Sequence, residues 1–375
     1  MGLLNILSNK NYSKRKVFME SLNKLNQALL LIGQNDELRS KTLTWFKEIE
    51  ELLHYPQGSI RDEITGPILD AIYNENNIFR KKLSNGLVFD FYYRTKIARD
   101  FLMSTPEVPD HVWEPQTTKL LLLLSKNLKQ VLIGGAYFGD QAIMLANEIK
   151  NNNGVVHAFE PNLDQFNMLN HNAKINGLNN LKAWRMGLWK ESDSSFRLVG
   201  EDSFAHAESV VNETMQVDKD IFSTVSIGDY LEREQIRKLD LIMLDIEGLE
   251  YFVLQGAQNQ LNLPASEAPT IVFEVHRSYV EWSNGLHNSE IVQYLMGFGY
   301  SVFAIRDYNS NVDMTDLPIE IIPPDRVFLE GPPHGFNMLA VKDTSILNST
   351  SFKKCYDVSP KLLKHKNSYL HEPTK

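Results

Sequence analysis

Residues 131–160, VLIGGAYFGDQAIMLANEIKNNNGVVHAFE, constrain the fold of this chain more than any other stretch. A short apolar run, Val131-Leu132-Ile133, has the length of a buried strand. Gly134, Gly135 and Gly139 follow, then Ala142, Ile143, Leu145, Ala146 and Ile149 at helical spacing. A polar turn, Asn151 to Gly154, ends that helix, and a second strand, Val155 to Phe159, stops at Glu160. Strand, glycine loop, helix, strand and acid make a nucleotide-binding half of a doubly wound α/β sheet. The glycines let backbone approach a ligand where a Cβ would collide. An acid about 20 residues past such a loop accepts hydrogen bonds from ribose hydroxyls.

The glycine spacing narrows the ligand. A dinucleotide fold uses G-x-G-x-x-G to seat a pyrophosphate on the helix N-terminus. Here Gly135 and Gly139 stand as G-x-x-x-G, with Ala136 and Tyr137 between them, and no Lys-Ser/Thr pair follows. The loop therefore suits an adenosine ligand without phosphates, and S-adenosylmethionine is the first choice. A nicotinamide-dependent oxidoreductase is disfavoured on the same spacing.

The rest of the chain limits the function classes. With 375 residues it holds one large domain and a smaller one. The net charge of −9 carries no long run of either sign, which argues against nucleic acid as the main partner. The single cysteine, Cys355, excludes a disulfide framework and a multi-cysteine metal site. No apolar run reaches the length of a membrane span. At the N-terminus the apolar patch precedes the basic residues, the reverse of a secretory signal, and Ile6 breaks a myristoylation match. A cytoplasmic protein without membrane attachment is expected.

Three segments are expected: a helical cap or oligomerisation region over 1–105, the catalytic domain over 106–343 and a tail over 344–375. In the first, Phe18, Leu22, Leu25, Leu29 and Ile32 recur at helical spacing. Leu38, Trp45, Phe46, Ile49, Leu52 and Leu53 do so after a cap at Asn35, and Ile68, Leu69, Ile72 and Phe79 mark a third stretch. These helices are read as a packed cap or homodimer contact, or as a lid over the acceptor pocket. An aromatic segment, residues 86–115, carries Arg94, Lys96 and Arg99. It stays extended around Pro106, Pro109 and Pro115, as segments crossing the mouth of a site do. A helix is expected over 117–128. Asn162 and Gln165 form a capping pair for a helix through Leu163, Phe166, Leu169 and Ala173.

Further strands are expected at 181–186, 239–244, 270–275 and 301–305, with a seventh, antiparallel one at 336–341. An inserted hairpin at 196–225 carries His206 and Glu208 in its loop. Residues 306–335 read as loop, and the lysine-rich tail from Thr344 as loosely attached. Three strands end in acids: Glu160, Asp245-x-Glu247 and Glu274-x-His276. Strand ends carry function in such sheets.

The stretch DLIMLDIEGLEYFVLQGA (Asp240 to Ala257), the glycine loop, AFEPN at Ala158 to Asn162 and EVH at Glu274 to His276 together resemble the FkbM methyltransferase signature. The resemblance covers about Trp113 to Lys342. It implies a class I, Rossmann-like, S-adenosylmethionine-dependent methyltransferase with a seven-stranded sheet, mostly parallel with one antiparallel strand, preceded here by the helical region. It also implies O-methylation of a hydroxyl on a sugar, glycan or secondary metabolite. The alternative is a catalytically degenerate scaffold of the same fold that binds a protein partner.

By position, the resemblance places Gly135, Ala136, Tyr137 and Gly139 along the methionine portion and Glu160 on the ribose, with Asn162 helping. Met186 and Trp184 flank the adenine, or Trp184 belongs to the core instead, and Asp245 faces the methyl group and the acceptor. The family has an acid at the place of Ile133 and an asparagine at that of Tyr137. Asp140 is the substitute for that acid, holding the ammonium directly or through water. Methyl transfer to a hydroxyl needs alignment and a base, and His276 or Asp245 is expected to be that base. A further reading has Asp245, Glu247, Glu274 and His276 hold Mg²⁺. Glu250 is read as a helix N-terminal acid, and His206 and His334 as loop residues within reach of an acceptor.

Overall fold

The strands read from the sequence pair into one large sheet, and two more join it than were expected. The computed structural model describes residues 19–53, 60–95, 97–200, 206–209, 220–308, 311–330, 335–362, 369 and 371–373. Phe18, Lys96 and His334 lie outside the described residues, as does the side chain of His206.

The chain divides into two compact units, residues 1–78 with 92–94, and residues 79–91 with 95–375, where three segments were expected. In the first unit, helix α1 (residues 19–33) leads into α2 (Asp36–Leu52). Asn35 caps α2, its Oδ1 accepting from the Leu38 N–H at 3.0 Å. A π-turn at Arg61–Thr65 runs into α3 (Gly66–Ile72). The buried Glu50 carboxylate accepts from Arg61 (2.8 Å) and from the Thr65 hydroxyl (2.6 Å), which satisfies a charge that burial alone would penalise. Phe46 is buried, while Leu22, Leu25, Leu38, Trp45, Leu52 and Leu53 of the same periodic pattern are exposed.

The hairpin strands β1 (Ile78–Lys82) and β2 (Val88–Tyr92) give residues 79–91 to the second unit. Helix α4 (Pro115–Ser125) starts on a proline, which fits the first helical turn because its missing N–H would be unsatisfied there. Then come β3 (Gln130–Gly134), α5 (Asp140–Ile149), β4 (Val155–Phe159), α6 (Leu163–Ile175) and β5 (Leu181–Trp184). The third expected strand is cut short because β6 (Gly187–Leu188) leaves for a second sheet. That sheet has the order β6-β9-β7-β8 and includes β7 (Ser195–Val199), β8 (His206–Ser209) and β9 (Ile221–Val225). The inserted hairpin is thus there, with one strand more and with His206 in β8.

After α7 (Ile227–Arg233), β10 (Leu241–Leu244) leads to α8 (Glu250–Gln255), and β11 (Thr270–His276) to α9 (Glu290–Gly297). The remaining strands are β12 (Ser301–Ile305), β13 (Asp307–Tyr308), β14 (Ile319–Ile322), β15 (Gly335–Val341), β16 (Phe352–Lys354) and β17 (Lys361–Leu362).

The main sheet has nine strands, β16-β14-β12-β15-β11-β10-β3-β4-β5, not seven. The five from β11 to β5 are parallel. Beyond them β15 runs antiparallel to both its neighbours, and β14 and its parallel partner β16 also run against the majority, so three strands are reversed rather than one. The expected loop over 306–335 hides β14 because only four residues, between Pro318 and Pro323, carry the pattern. The described part of the tail is built in rather than loose. Its β16 pairs with β14 and its β17 with β13, and Arg306 ties Ser359 O to Glu320.

The parallel strands are buried on both sides, as a sheet covered by helices requires. Leu132, Ile242, Leu244, Ile271 and Phe273 share one core with Ile227 and Tyr230 of α7, Val253 and Leu254 of α8, and Ile291 and Leu295 of α9. β4 lies on one side of β3 and β10 on the other, so the connections diverge there and open a crevice at the carboxyl ends of the strands.

Candidate active site

That crevice is a cavity with about 1410 Å³ not filled by atoms, part of it continuous with solvent. Its base is the glycine loop. Gly135 has φ +76°, and a Cβ there would lie 1.8 Å from the Asp245 carbonyl oxygen, so glycine alone permits β3 and β10 to meet at this height. The N–H groups of Gly135 and Ala136 both donate to Phe159 O at 3.0 Å, which fixes the loop against the end of β4.

Glu160 follows directly on β4. Its Oε2 accepts from the Tyr137 N–H at 2.7 Å and its Oε1 from the Asn162 N–H at 2.8 Å. The carboxylate therefore joins the glycine loop to the start of α6 while lining the cavity. Asn162 caps α6 as expected, accepting from the N–H groups of Asp164 and Gln165.

On the far side, β10 ends in the turn Asp245-Ile246-Glu247-Gly248. Glu247 (φ +54°) and Gly248 (φ +95°) are both left-handed, and a Cβ on Gly248 would strike the Tyr279 ring at 2.4 Å. Glu250, fully buried at the head of α8, accepts from the Ile246 N–H at 2.9 Å and holds this turn. Asp245, Glu247 and Glu274 bring carboxylate oxygens within 4.8 Å of one another. Hard cations favour such oxygen donors. His276 does not line the cavity, and its Nδ1 accepts from the Ser278 N–H at 3.0 Å, in the turn that leaves β11. Asp245, Glu247 and Glu274 are three of the four residues read as holding Mg²⁺.

Gly135, Ala136, Tyr137, Asp140, Glu160, Asn162, Met186 and Asp245 all line the cavity, as the sequence places them. Gly139 does not. At φ +99° it starts α5, and a Cβ there would crowd Ile143 and Leu169. Trp184 packs with the core and donates through Nε1 to the Tyr230 hydroxyl at 3.0 Å, so its ring is committed to the interior.

Three contributions escape the sequence reading. Phe196, Leu198, Phe222 and Thr224 of the inserted sheet form one wall. Trp113 and Glu114 form another, ahead of α4. Behind Glu114 stand Asn337, whose Nδ2 donates to Glu114 Oε2 at 2.6 Å, and Lys361, whose Nζ lies 3.5 Å from Glu114 Oε1. The extended segment ending at Trp113-Glu114-Pro115 was read as crossing the mouth of a site. Nothing in the pattern around Asn337 or Lys361 signals a role.

The lining carries Glu114, Asp140, Glu160, Asp245, Glu247 and Glu274, and no described lysine, arginine or histidine. Such crowding opposes ionisation. Burial, then the charges of Asp245 and Glu114, push Asp140 up to about 7. Burial, aided by Asp245, pushes Glu250 up to about 8 against the backbone N–H groups that favour its charged form. Glu274 is raised well above the usual range by burial and by Asp245, Glu247, Glu250 and Glu114.

A family model, the Methyltransferase FkbM domain, matches residues 134–302, which span the glycine loop, Glu160, Asp245 and Glu274. Residues 134–302 are an FkbM methyltransferase domain. Around this FkbM domain the chain adds Glu114 before it, and Asn337 and Lys361 after it.

Among solved structures, the chain is similar to the methyltransferase FkbM from Methylobacillus flagellatus KT (15% identity over 47% of this chain, TM-score 0.31). It spans 39% of that protein's length. It is also similar to the O-methyltransferase from Bacillus cereus in complex with SAH (15% identity, 62% of this chain and 84% of that one, TM-score 0.31). A third is the O-methyltransferase TomG from Streptomyces achromogenes in complex with SAM (12% identity, 63% and 84%, TM-score 0.32). No protein with a curated description matches the chain. Among the described residues, no helix is long and apolar enough to cross a membrane.

Proposed function

We propose that the chain transfers a methyl group from S-adenosylmethionine to a hydroxyl of a sugar, glycan or other small molecule at this cavity. The observation that carries the reading is the character of the lining: acidic side chains, Glu160 and Asp245 among them, and no described basic side chain, beside a glycine loop without a phosphate motif. A pyrophosphate would be repelled there, while a cation is drawn in. The donor set therefore fits a sulfonium cofactor.

When bound, that cofactor supplies an electrophilic methyl group. Glu160, already held by two backbone N–H groups, accepts from the ribose hydroxyls. Met186, Leu188 and Phe159 give an apolar wall for the adenine. Gly135, Ala136 and Tyr137 line the amino-acid portion, and Asp245 faces the acceptor. The base is Asp245, which takes the hydroxyl proton on a carboxylate oxygen as the oxygen attacks. Glu274, at the end of β11, lines the same part of the cavity and orients the acceptor. The Nδ1 of His276 accepts from the Ser278 N–H, and His276 does not line the cavity. Most of the rate gain comes from alignment.

Glu160→Ala removes a charged acceptor, a contact of about 1.5–3 kcal/mol. Calorimetry should show S-adenosylmethionine bound at least about tenfold more weakly by the variant. Equal affinity in both proteins would overturn the assignment of Glu160.

A further inference from the structure

Glu114 occupies an unusual position. It stands at the N-cap of α4 with left-handed backbone (φ +48°), yet its side chain does not cap the helix. Asp307, fully buried after β12, does that instead, accepting from the Gln116 N–H (2.9 Å) and the Thr117 N–H (2.8 Å). Relieved of that task, the Glu114 carboxylate turns to the cavity. It is fixed from behind by Asn337, which is 1% exposed, and by Lys361 on β17. Asn337 lies directly opposite Glu274 in the β11–β15 register, so the assembly abuts the acidic end of the cavity. Asp140 faces the same space, but its carboxylate is engaged by the backbone at its own helix start.

We propose that Glu114 is the ligand of the ammonium group on the cofactor's amino-acid portion, with Asn337 and Lys361 as its positioning residues. A carboxylate has lone pairs for four donors; Asn337 and Lys361, which do not line the cavity, hold Glu114, which does. Lys361 places a counter-charge beside Glu114 and aims the carboxylate among its acidic neighbours. The site is thereby completed by a residue from the last strand, outside the FkbM domain. This inference rests on the cofactor reading above.

The test separates the amino-acid portion from the nucleoside. S-adenosylhomocysteine carries the ammonium, and 5′-methylthioadenosine lacks the whole amino-acid part. Both are titrated calorimetrically into the full chain, Glu114→Gln and Lys361→Gln. Glu114→Gln should weaken S-adenosylhomocysteine by about 10- to 100-fold, the range of one charge-assisted hydrogen bond, and leave 5′-methylthioadenosine within about twofold. Lys361→Gln should shift affinity in the same selective way, by less. A general loss of packing would weaken both ligands alike, and that result, or an unchanged S-adenosylhomocysteine affinity, overturns the proposal. Should Glu114→Gln fail to fold, an unchanged Lys361→Gln overturns it. If the unmodified chain binds neither ligand, the cofactor reading falls and this inference with it. If it binds both and the variants show no selectivity, only this inference falls.

Discussion

Glu250 is the residue on which the β10 turn depends. Its Oε1 accepts from the Ile246 N–H at 2.9 Å and, more weakly, from the Gly248 N–H at 3.4 Å, in a place 2% exposed. Truncation to alanine leaves the Ile246 N–H buried without an acceptor, a loss of about 1–3 kcal/mol. Glutamine keeps an acceptor oxygen there and removes a carboxyl that burial holds against ionisation. Chemical denaturation should therefore find Glu250→Ala destabilised by about that amount and Glu250→Gln at least as stable as the parent. A destabilised Glu250→Gln would mean that the charge, not the acceptor, holds the turn. The sequence reading saw this residue as a helix-dipole acid. The closure onto Ile246 was hidden, because it depends on the left-handed backbone of Glu247 and Gly248.

At the scale of elements, Asn172 of α6 and Asn176 at its C-cap hold β2 as a neighbouring strand would. Asn172 Oδ1 accepts from the Asp90 N–H at 2.8 Å, while its Nδ2 donates to Asp90 O and to Phe138 O at 2.9 Å. Asn176 repeats the pattern on Val88, with 2.9 and 2.7 Å. Edge backbone is thus satisfied by side chains. Asn172→Ala strands three buried backbone groups and should cost at least about 2 kcal/mol. Urea unfolding measures it, and a loss below about 0.5 kcal/mol would show that these bonds are replaceable.

The sequence made the parallel half legible, because β3, β4, β10, β11 and α6 carry long apolar patterns closed by Gly, Asn or an acid. Beyond β12 and β15, it concealed β14, β16 and β17, because these are two to four residues long and their pairing is non-local. The cofactor side of the cavity was readable for the same reason. Glu114, Asn337 and Lys361 were not, since only the fold brings together residues more than 200 positions apart.

For the whole molecule, crowded carboxyls set the response to pH. In the unfolded chain Asp140 and Glu250 lose their protons near 3.8 and 4.5, but in the native state they keep them up to about 7 and about 8. Between those values the native state binds more protons, so stability falls as pH rises. His157, brought down to about 4 by burial and then by the charge of Lys182, opposes this only below 6.5, where the unfolded imidazole gains a proton. The melting temperature of the ligand-free chain should therefore drop from pH 6.5 to pH 8, and Asp140→Asn should flatten the profile. A melting temperature that rises over this interval would contradict the native-state protonation derived for these carboxyls.

The acidic lining of the cavity, with no described basic side chain, is the reason to expect a cationic adenosyl ligand and to reject a dinucleotide. Parallel calorimetric titrations of S-adenosylmethionine and NADH into the full chain test this most directly. The account predicts saturable one-site binding of S-adenosylmethionine and no heat of binding from NADH. Binding of NADH, or no binding of S-adenosylmethionine at millimolar concentration, would contradict it.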